Sequence, residues 1–290
     1  MFEFVDYNNN SINVNYKSIL INGDFQINQR GKTVYTDNDY TLDMWYFYKR
    51  NNLTTGTNAS LSINNDGSIK MSCNNYNWIN ISQKIDNYYR GKIVTGVIKV
   101  KNVKTPAEIN NENASVTYPA NIRIVESETI YGVYDETSYE VTKIESDGIY
   151  HFTANIPEKS TYSMLKISVL VFGEIDIEYI DLYEGEIAYL HVKEDKTNAQ
   201  LKCLSYVRPI TYNIVAYCTA SNYIQETFIF DIPMVSTPRF TVIDYGTGSN
   251  VEDAKISVSY NRVVFQTVAT RTGLIYVYNK KYLFTCEPLE

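Results

Sequence analysis

The chain has 290 residues, 44% of them hydrophobic and 20% charged, with a formal net charge of -7. That length favours two domains with real cores, and the acidic balance argues against a nucleic-acid partner, whose binders carry a basic face. The longest apolar run, residues 164–172, contains Lys166 and is too short to span a bilayer; the N-terminus lacks the basic and apolar regions of a secretory signal. The expectation is a soluble protein made in a bacterial cytoplasm without a signal peptide.

Strand signals dominate the first two thirds. Ile19, Leu20 and Ile21 form a short apolar strand, Asn22, Gly23 and Asp24 a turn, and Phe25 an anchor before a polar segment that breaks at Gly31; Asn-Gly is among the strongest turn signals. Leu61 and Ile63 precede an Asn-Asp-Gly turn that Ile69 and Met71 follow, which predicts a hairpin. Ile79 and Ile81 alternate with Asn80 and Ser82. Residues 91–103 are apolar on both faces (Ile93 and Val97; Val94, Ile98 and Val100), as an inner sandwich strand would be. Leu165, Ile167, Val169 and Val171 share one side of the next strand. Ile175, Ile177 and Tyr179 then alternate with acidic residues until the phase slips at Ile180 and Leu182, which predicts a β-bulge.

The best helix candidate runs over residues 198–207, with Thr197 or Asn198 as its cap and Leu201, Leu204 and Val207 on one face. It follows the charged stretch 192–198, which reads as a hinge. Beyond it, Pro233 and Pro238 confine their segment to an edge or bend. Three closely spaced strands follow, turning near Asn261 and at Arg271, Thr272 and Gly273. About 80 residues this dense in strands make a small β-sandwich. The organisation expected is all-β: an N-terminal arm (1–17), a jelly-roll β-sandwich (18–192), a linker with a short helix (193–208) and a smaller C-terminal β-sandwich (209–290).

Cys73, Cys203, Cys218 and Cys286 form no C-x-x-C pair, and His151 and His191 stand apart, so no zinc site is expected and the thiols read as free. Hydrolysis of a glycan needs two carboxylates at a set separation. The acidic residues Glu174, Asp176, Glu178, Asp181, Glu184 and Glu186 read instead as a solvated strand face, and no enzyme is expected. The 27 tyrosines offer flat apolar faces with polar tips, suited to wet recognition. Polar and aromatic residues mix most densely at Tyr76, Asn77 and Trp78 and at Tyr88, Tyr89 and Arg90. Those six are the candidate glycan-binding residues, with core packing the alternative for Trp78. In the second domain Tyr206, Tyr212, Tyr217 and Tyr223 suit either a receptor-binding face or a subunit interface.

Three separated pieces occur in a familiar order. They are Leu20-Ile21-Asn22-Gly23-Asp24-Phe25 with Gln29-Arg30-Gly31 and Tyr40-Thr41-Leu42-Asp43-Met44-Trp45; Gln83-Lys84-Ile85 with Gly91-Lys92-Ile93-Val94-Thr95; and residues 179–189, closing on Leu182-Tyr183-Glu184-Gly185. Weaker matches follow at residues 203–207 and 233–238. In this order the chain resembles phage tail and receptor-binding proteins that begin with a carbohydrate-binding-like (galactose-binding-like) jelly roll; the basic residue usual before the tryptophan is Met44 here. The resemblance implies a tail component of a virion or of an extracellular tail-like particle. Its partners would be a host cell-surface glycan, other tail or baseplate proteins and two further copies of itself in a homotrimer, with neither nucleic-acid binding nor membrane insertion. It implies no cofactor beyond a structural calcium, for which Asp24, Asp43 and Asp181 are the candidate ligands. Phe25 and Trp45 would anchor the two sheets to each other. The alternatives are a purely structural tail or baseplate protein without a glycan site, and a polysaccharide-degrading enzyme or its binding module.

Overall fold

The computed structural model describes residues 17–36, 38–49, 58–74, 78–112, 114, 116–130 and 136–286. Most of the expected N-terminal arm and the candidate residues Tyr76 and Asn77 lie outside them. The strands are β1 (Val34–Tyr35), β2 (Asp39–Tyr40), β3 (Tyr46–Lys49), β4 (Asn58–Ile63), β5 (Ile69–Asn74), β6 (Ile79–Ile85), β7 (Ile93–Lys104), β8 (Ala120–Ser127), β9 (Glu136–Ile144), β10 (Gly148–Asn155), β11 (Met164–Val171) and β12 (Glu174–Glu184). After helix α1 (Lys196–Leu204) come β13 (Val207–Cys218), β14 (Tyr223–Ile229), β15 (Arg239–Asp244), β16 (Thr247–Ser249), β17 (Lys255–Ser259), β18 (Arg262–Val268) and β19 (Gly273–Thr285).

The first twelve strands form two six-stranded sheets, in the orders β1-β4-β5-β12-β7-β10 and β2-β3-β6-β11-β8-β9. Most successive strands from β5 to β12 switch sheets, the winding of a jelly roll. The predicted hairpin is β4–β5, with Ile63 opposite Ile69 and Leu61 opposite Met71. The phase slip in β12 is a register shift against β7 between Ile177 and Tyr179, so Ile177 and Ile180 both reach the core. Leu61, Met71, Ile98 and Ile177 from one sheet meet Phe47, Ile81, Ile122 and Ile167 from the other in one apolar core.

The opening motif ties this sandwich shut. Asn22, 1% exposed, takes a left-handed φ of 57°. Its side chain accepts from Ile27 N and donates to the carbonyls of Ile27 and Asp43, while its own carbonyl accepts from Trp45 Nε1 at 2.9 Å. Gly23 donates no side chain because a Cβ there would lie 2.2 Å from the Ile180 carbonyl oxygen, to which the turn is pressed. Phe25 and Trp45 lie in the core with ring centroids 5.4 Å apart.

Helix α1 begins two residues before the predicted start. Asp195, rather than Thr197 or Asn198, caps it by accepting from the Thr197 and Asn198 amides, because an aspartate placed one step ahead satisfies two otherwise unpaired N–H groups. Ala199 and Cys203 of the helix pack on Ile27. Strands β13 to β19 make two small sheets, β13-β19-β15 with β16 on β19, and β14-β18-β17. They enclose an aromatic core of Tyr212, Phe230, Phe265, Tyr282 and Phe284. Tyr212 is therefore core, not surface. Tyr217 and Tyr223 are exposed but stand on strands of different sheets, so the four tyrosines form no common face.

Candidate functional site

The two outer faces of the jelly roll differ in kind. On the β1–β10 sheet, lysines and carboxylates pair in rows: Glu174 holds Lys70 and Lys104 at 2.9 and 2.7 Å, and Glu178 holds Lys99 at 2.8 Å. One buried oxygen there, Asp176 Oδ1, has no partner.

The outer face of the β2–β9 sheet is aromatic and polar, and it is buried except at its β9 edge, where Val141 and Lys143 are exposed. Register sets its rows. Tyr48, Asn80, Leu170, Asn121 and Lys143 lie side by side; the next row is Tyr46, Ser82, Ser168, Arg123 and Val141. Trp78 and Phe172 continue the face at one end and Lys166 at the other. With strands about 4.8 Å apart and same-face residues about 6.7 Å apart, the face spans on the order of 14 by 20 Å.

Its floor is a hydrogen-bonded chain. Asn80 Oδ1 accepts from the hydroxyls of Ser82 and Ser168 at 3.0 and 2.8 Å, Arg123 Nη2 lies 3.4 Å from Ser168 Oγ, and Arg123 Nη1 pairs with Glu136 Oε1. Burial lowers the Arg123 pKa from its ordinary value, against the pull of Glu136. Four atoms of this floor lack any partner: Asn80 Nδ2, Asn121 Oδ1, Arg123 Nε and Glu136 Oε2. They are half of the eight such atoms among the described residues, and each left dry costs about 1–3 kcal/mol.

Two walls bound the face. Ala114, Val116 and Tyr118 pack on the Trp78, Leu170 and Phe172 cluster, and Ile130 packs with Tyr40, Tyr46 and Met164. Trp78 faces Tyr48 with ring centroids 5.6 Å apart. At the second wall Lys166, fully buried, donates to the carbonyls of Thr129 and Ile130 at 3.2 and 3.1 Å. Burial pushes its pKa down to about 7.

Of the sequence candidates, the structure puts Trp78 on this face and outside the main core. It does not bring Tyr88, Tyr89 or Arg90 to it. They follow the far end of β6, which ends at Ile85, seven positions and roughly 23 Å of extended chain from Trp78. Asp86 caps the short 3-10 turn Asn87–Tyr89 there. Tyr89 packs on the main core, Arg90 binds the Tyr162 carbonyl at 3.0 Å, and Tyr88 carries Lys92 Nζ 3.3 Å from its ring centroid. Tyr46, Tyr48, Asn80, Asn121, Arg123 and Ser168 were missed. The signal lay in the polar half of three alternating strands, where amides, hydroxyls and a guanidinium replace the usual lysines and glutamates.

The calcium candidates do not converge. Asp43, fully buried, is enclosed by Gln29 and Arg30; Asp181 pairs with His191 Nδ1 at 2.7 Å; Asp24 pairs with Gln26. Asp24 and Asp181 line one cleft, from which Asp43 is absent, and among the described residues no three His, Cys, Asp or Glu side chains gather.

Fold and face together define an all-β protein with a jelly-roll sandwich whose outer sheet carries a walled polar-aromatic floor. No protein-family model and no curated protein matches the sequence. Among solved structures the chain is similar to a CBM4 carbohydrate-binding module, at 18% identity over 57% of this chain and 98% of that one, with a TM-score of 0.39. It is also similar to a family 16 carbohydrate-binding module (11% identity, 45% and 88% covered, TM-score 0.32). A third is the enzymatically active domain of bacteriophage CBA120 tailspike protein 4 (15% identity, 58% of this chain and 21% of that one, TM-score 0.36). Likenesses this distant transfer neither a ligand nor a residue's role.

Proposed function

We propose that the chain is a glycan-binding attachment protein and that the saccharide binds the outer face of the β2–β9 sheet. One observation carries this reading: two unpaired donors (Asn80 Nδ2, Arg123 Nε) and two unpaired acceptors (Asn121 Oδ1, Glu136 Oε2) line one floor beside the Trp78–Tyr48 pair. A hydroxyl donates and accepts at once, so a saccharide answers both sets, and its C–H faces suit the rings. Trp78 and Arg123 are each 7% exposed, so binding requires the wall at Ala114, Val116 and Tyr118 to yield. The order of the Asn22-Gly23-Asp24-Phe25, Gln29-Arg30-Gly31 and Asp43–Trp45 motifs supports placing the protein in the tail of a phage or tail-like particle, as a homotrimer that meets a host-surface glycan. The test is a glycan array probed with the wild type and with Asn121→Leu. Retained binding by the variant, or none by the wild type, removes the proposed floor; light scattering that gives a single chain removes the trimer.

A further inference from the structure

A second cleft lies in the other sandwich, apart from the floor described above. Lys280 occupies an inward-facing position of β19 between the core residues Val277 and Tyr282, and is 7% exposed. A lysine in a core position is costly unless paired. Its Nζ donates to Asp253 Oδ1 at 2.6 Å, but the Asp253 side chain is 87% exposed. Such a pair is weak evidence of a structural purpose, since apolar groups in its place are often as stable, although removing one partner alone leaves a charge unmet. Burial, the largest single influence, works against the Lys280 charge, but the hydrogen bond and charge of Asp253 together with Tyr282 hold the amine above its ordinary pKa.

The cation faces a cleft of about 190 Å³ whose lining includes Tyr212, Tyr245, Glu252, Asp253 and Lys280. Tyr245, 74% exposed, is held over it by a tight loop, with Lys280 Nζ 5.7 Å from its ring centroid. Gly246 has a φ of 57°, and a Cβ there would lie 2.1 Å from the Tyr278 carbonyl oxygen. The Gly246 amide donates to Asp244 Oδ1 at 2.9 Å, and Thr247 to Ser249 pair with Tyr276 to Tyr278. An exposed aromatic ring thus lies beside a buried ammonium and the exposed carboxylate paired with it.

We propose that this cleft binds the terminal ring of a neutral saccharide. The ring stacks on Tyr245, and neighbouring hydroxyls take the donor at Lys280 and the acceptor at Asp253. Lys280 is outnumbered by the carboxylates of Asp253 and Glu252, which disfavours an acidic sugar and leaves a neutral one. The small volume suits a single terminal ring. The test uses the full chain with the methyl glycosides of glucose, galactose and N-acetylglucosamine, titrated by saturation-transfer NMR. At least one binds the wild type and Asn121→Leu equally, while Tyr245→Ala and Asp253→Ala each weaken it about tenfold or more, as loss of a stacking ring does elsewhere. Tyr245 is exposed, so Tyr245→Ala keeps the wild-type melting temperature; Asp253→Ala leaves the buried Lys280 without its anion and melts lower, so its binding is read well below its own melting temperature. The proposal is overturned if none of the three probes binds the wild type, if Tyr245→Ala binds like the wild type, or if Asn121→Leu abolishes the signal.

Discussion

The side-chain amide of Gln29 donates to Asp43 Oδ2 at 2.6 Å and to the Val207 carbonyl at 3.0 Å. One residue of the Gln29-Arg30-Gly31 motif therefore satisfies a fully buried carboxylate in the jelly roll and an acceptor at the start of β13. The conspicuous opening motif is a structural knot.

Gln29→Ala leaves Asp43 with the Gln29 backbone amide and Arg30 alone, and should cost about 2 kcal/mol, the usual loss for a hydrogen bond to a charged group. Burial raises the Asp43 pKa above its ordinary value against the pull of Gln29 and Arg30. The folded chain therefore holds that proton more tightly than the unfolded one, and stability falls as pH rises from the ordinary carboxylate range through the folded value. Removing the Gln29 amide raises the Asp43 pKa further. The cost of the variant should thus be largest near neutral pH and shrink toward pH 4, which urea melts across that range will read.

Lys166 gives a dependence of opposite sign. Its pKa falls from 10.5 to about 7 on folding, chiefly through burial. Between those values the unfolded state binds more protons, so stability rises with pH. Denaturant melts at pH 7.5 and 9.5 should show the wild type gaining about 2.5 kcal/mol relative to Lys166→Met. An equal response of the two proteins would place the Lys166 amine in solvent.

What the sequence made legible was local. The β4–β5 hairpin follows from its Asn-Asp-Gly turn, and the β12 bulge from the phase slip at Ile180 and Leu182. The alternation in β11 put Leu165, Ile167 and Val169 on one side, which is the core side, but carries no sign of what lies over Lys166, Ser168 and Leu170 on the other. They are buried because residues around Val116 and Ile130, distant in sequence, pack across them. No local pattern announces such a cover. The reverse error, joining Trp78 to Tyr88 and Tyr89, came from treating nearness in sequence as nearness in space along an extended strand.

Asn121→Leu separates binding from stability. Asn121 Oδ1 has no partner, and its amide reaches only the Tyr118 hydroxyl at 3.3 Å. Replacing a half-satisfied buried amide by an apolar group of similar size is near neutral or stabilising. The melting temperature should hold or rise while glycan affinity falls about tenfold, roughly 1.4 kcal/mol. A drop in melting temperature would show that the amide serves the fold instead.

Trp78→Ala tests the aromatic half of the site. Trp78 stands outside the main core and packs with Leu170, Phe172 and Tyr48 on the outer face. Truncating a buried tryptophan costs about 3–5 kcal/mol; with its ring on a satellite cluster the loss should sit near 3 kcal/mol and leave the sandwich folded. Loss of a stacking ring adds about 1–3 kcal/mol in binding. Trp78→Phe keeps an aromatic face and fills most of the space, so it should recover the melting temperature and most of the affinity, whereas Trp78→Leu should recover the melting temperature alone. Equal binding by the Phe and Leu variants would mean that the ring fills space and does not stack on a ligand.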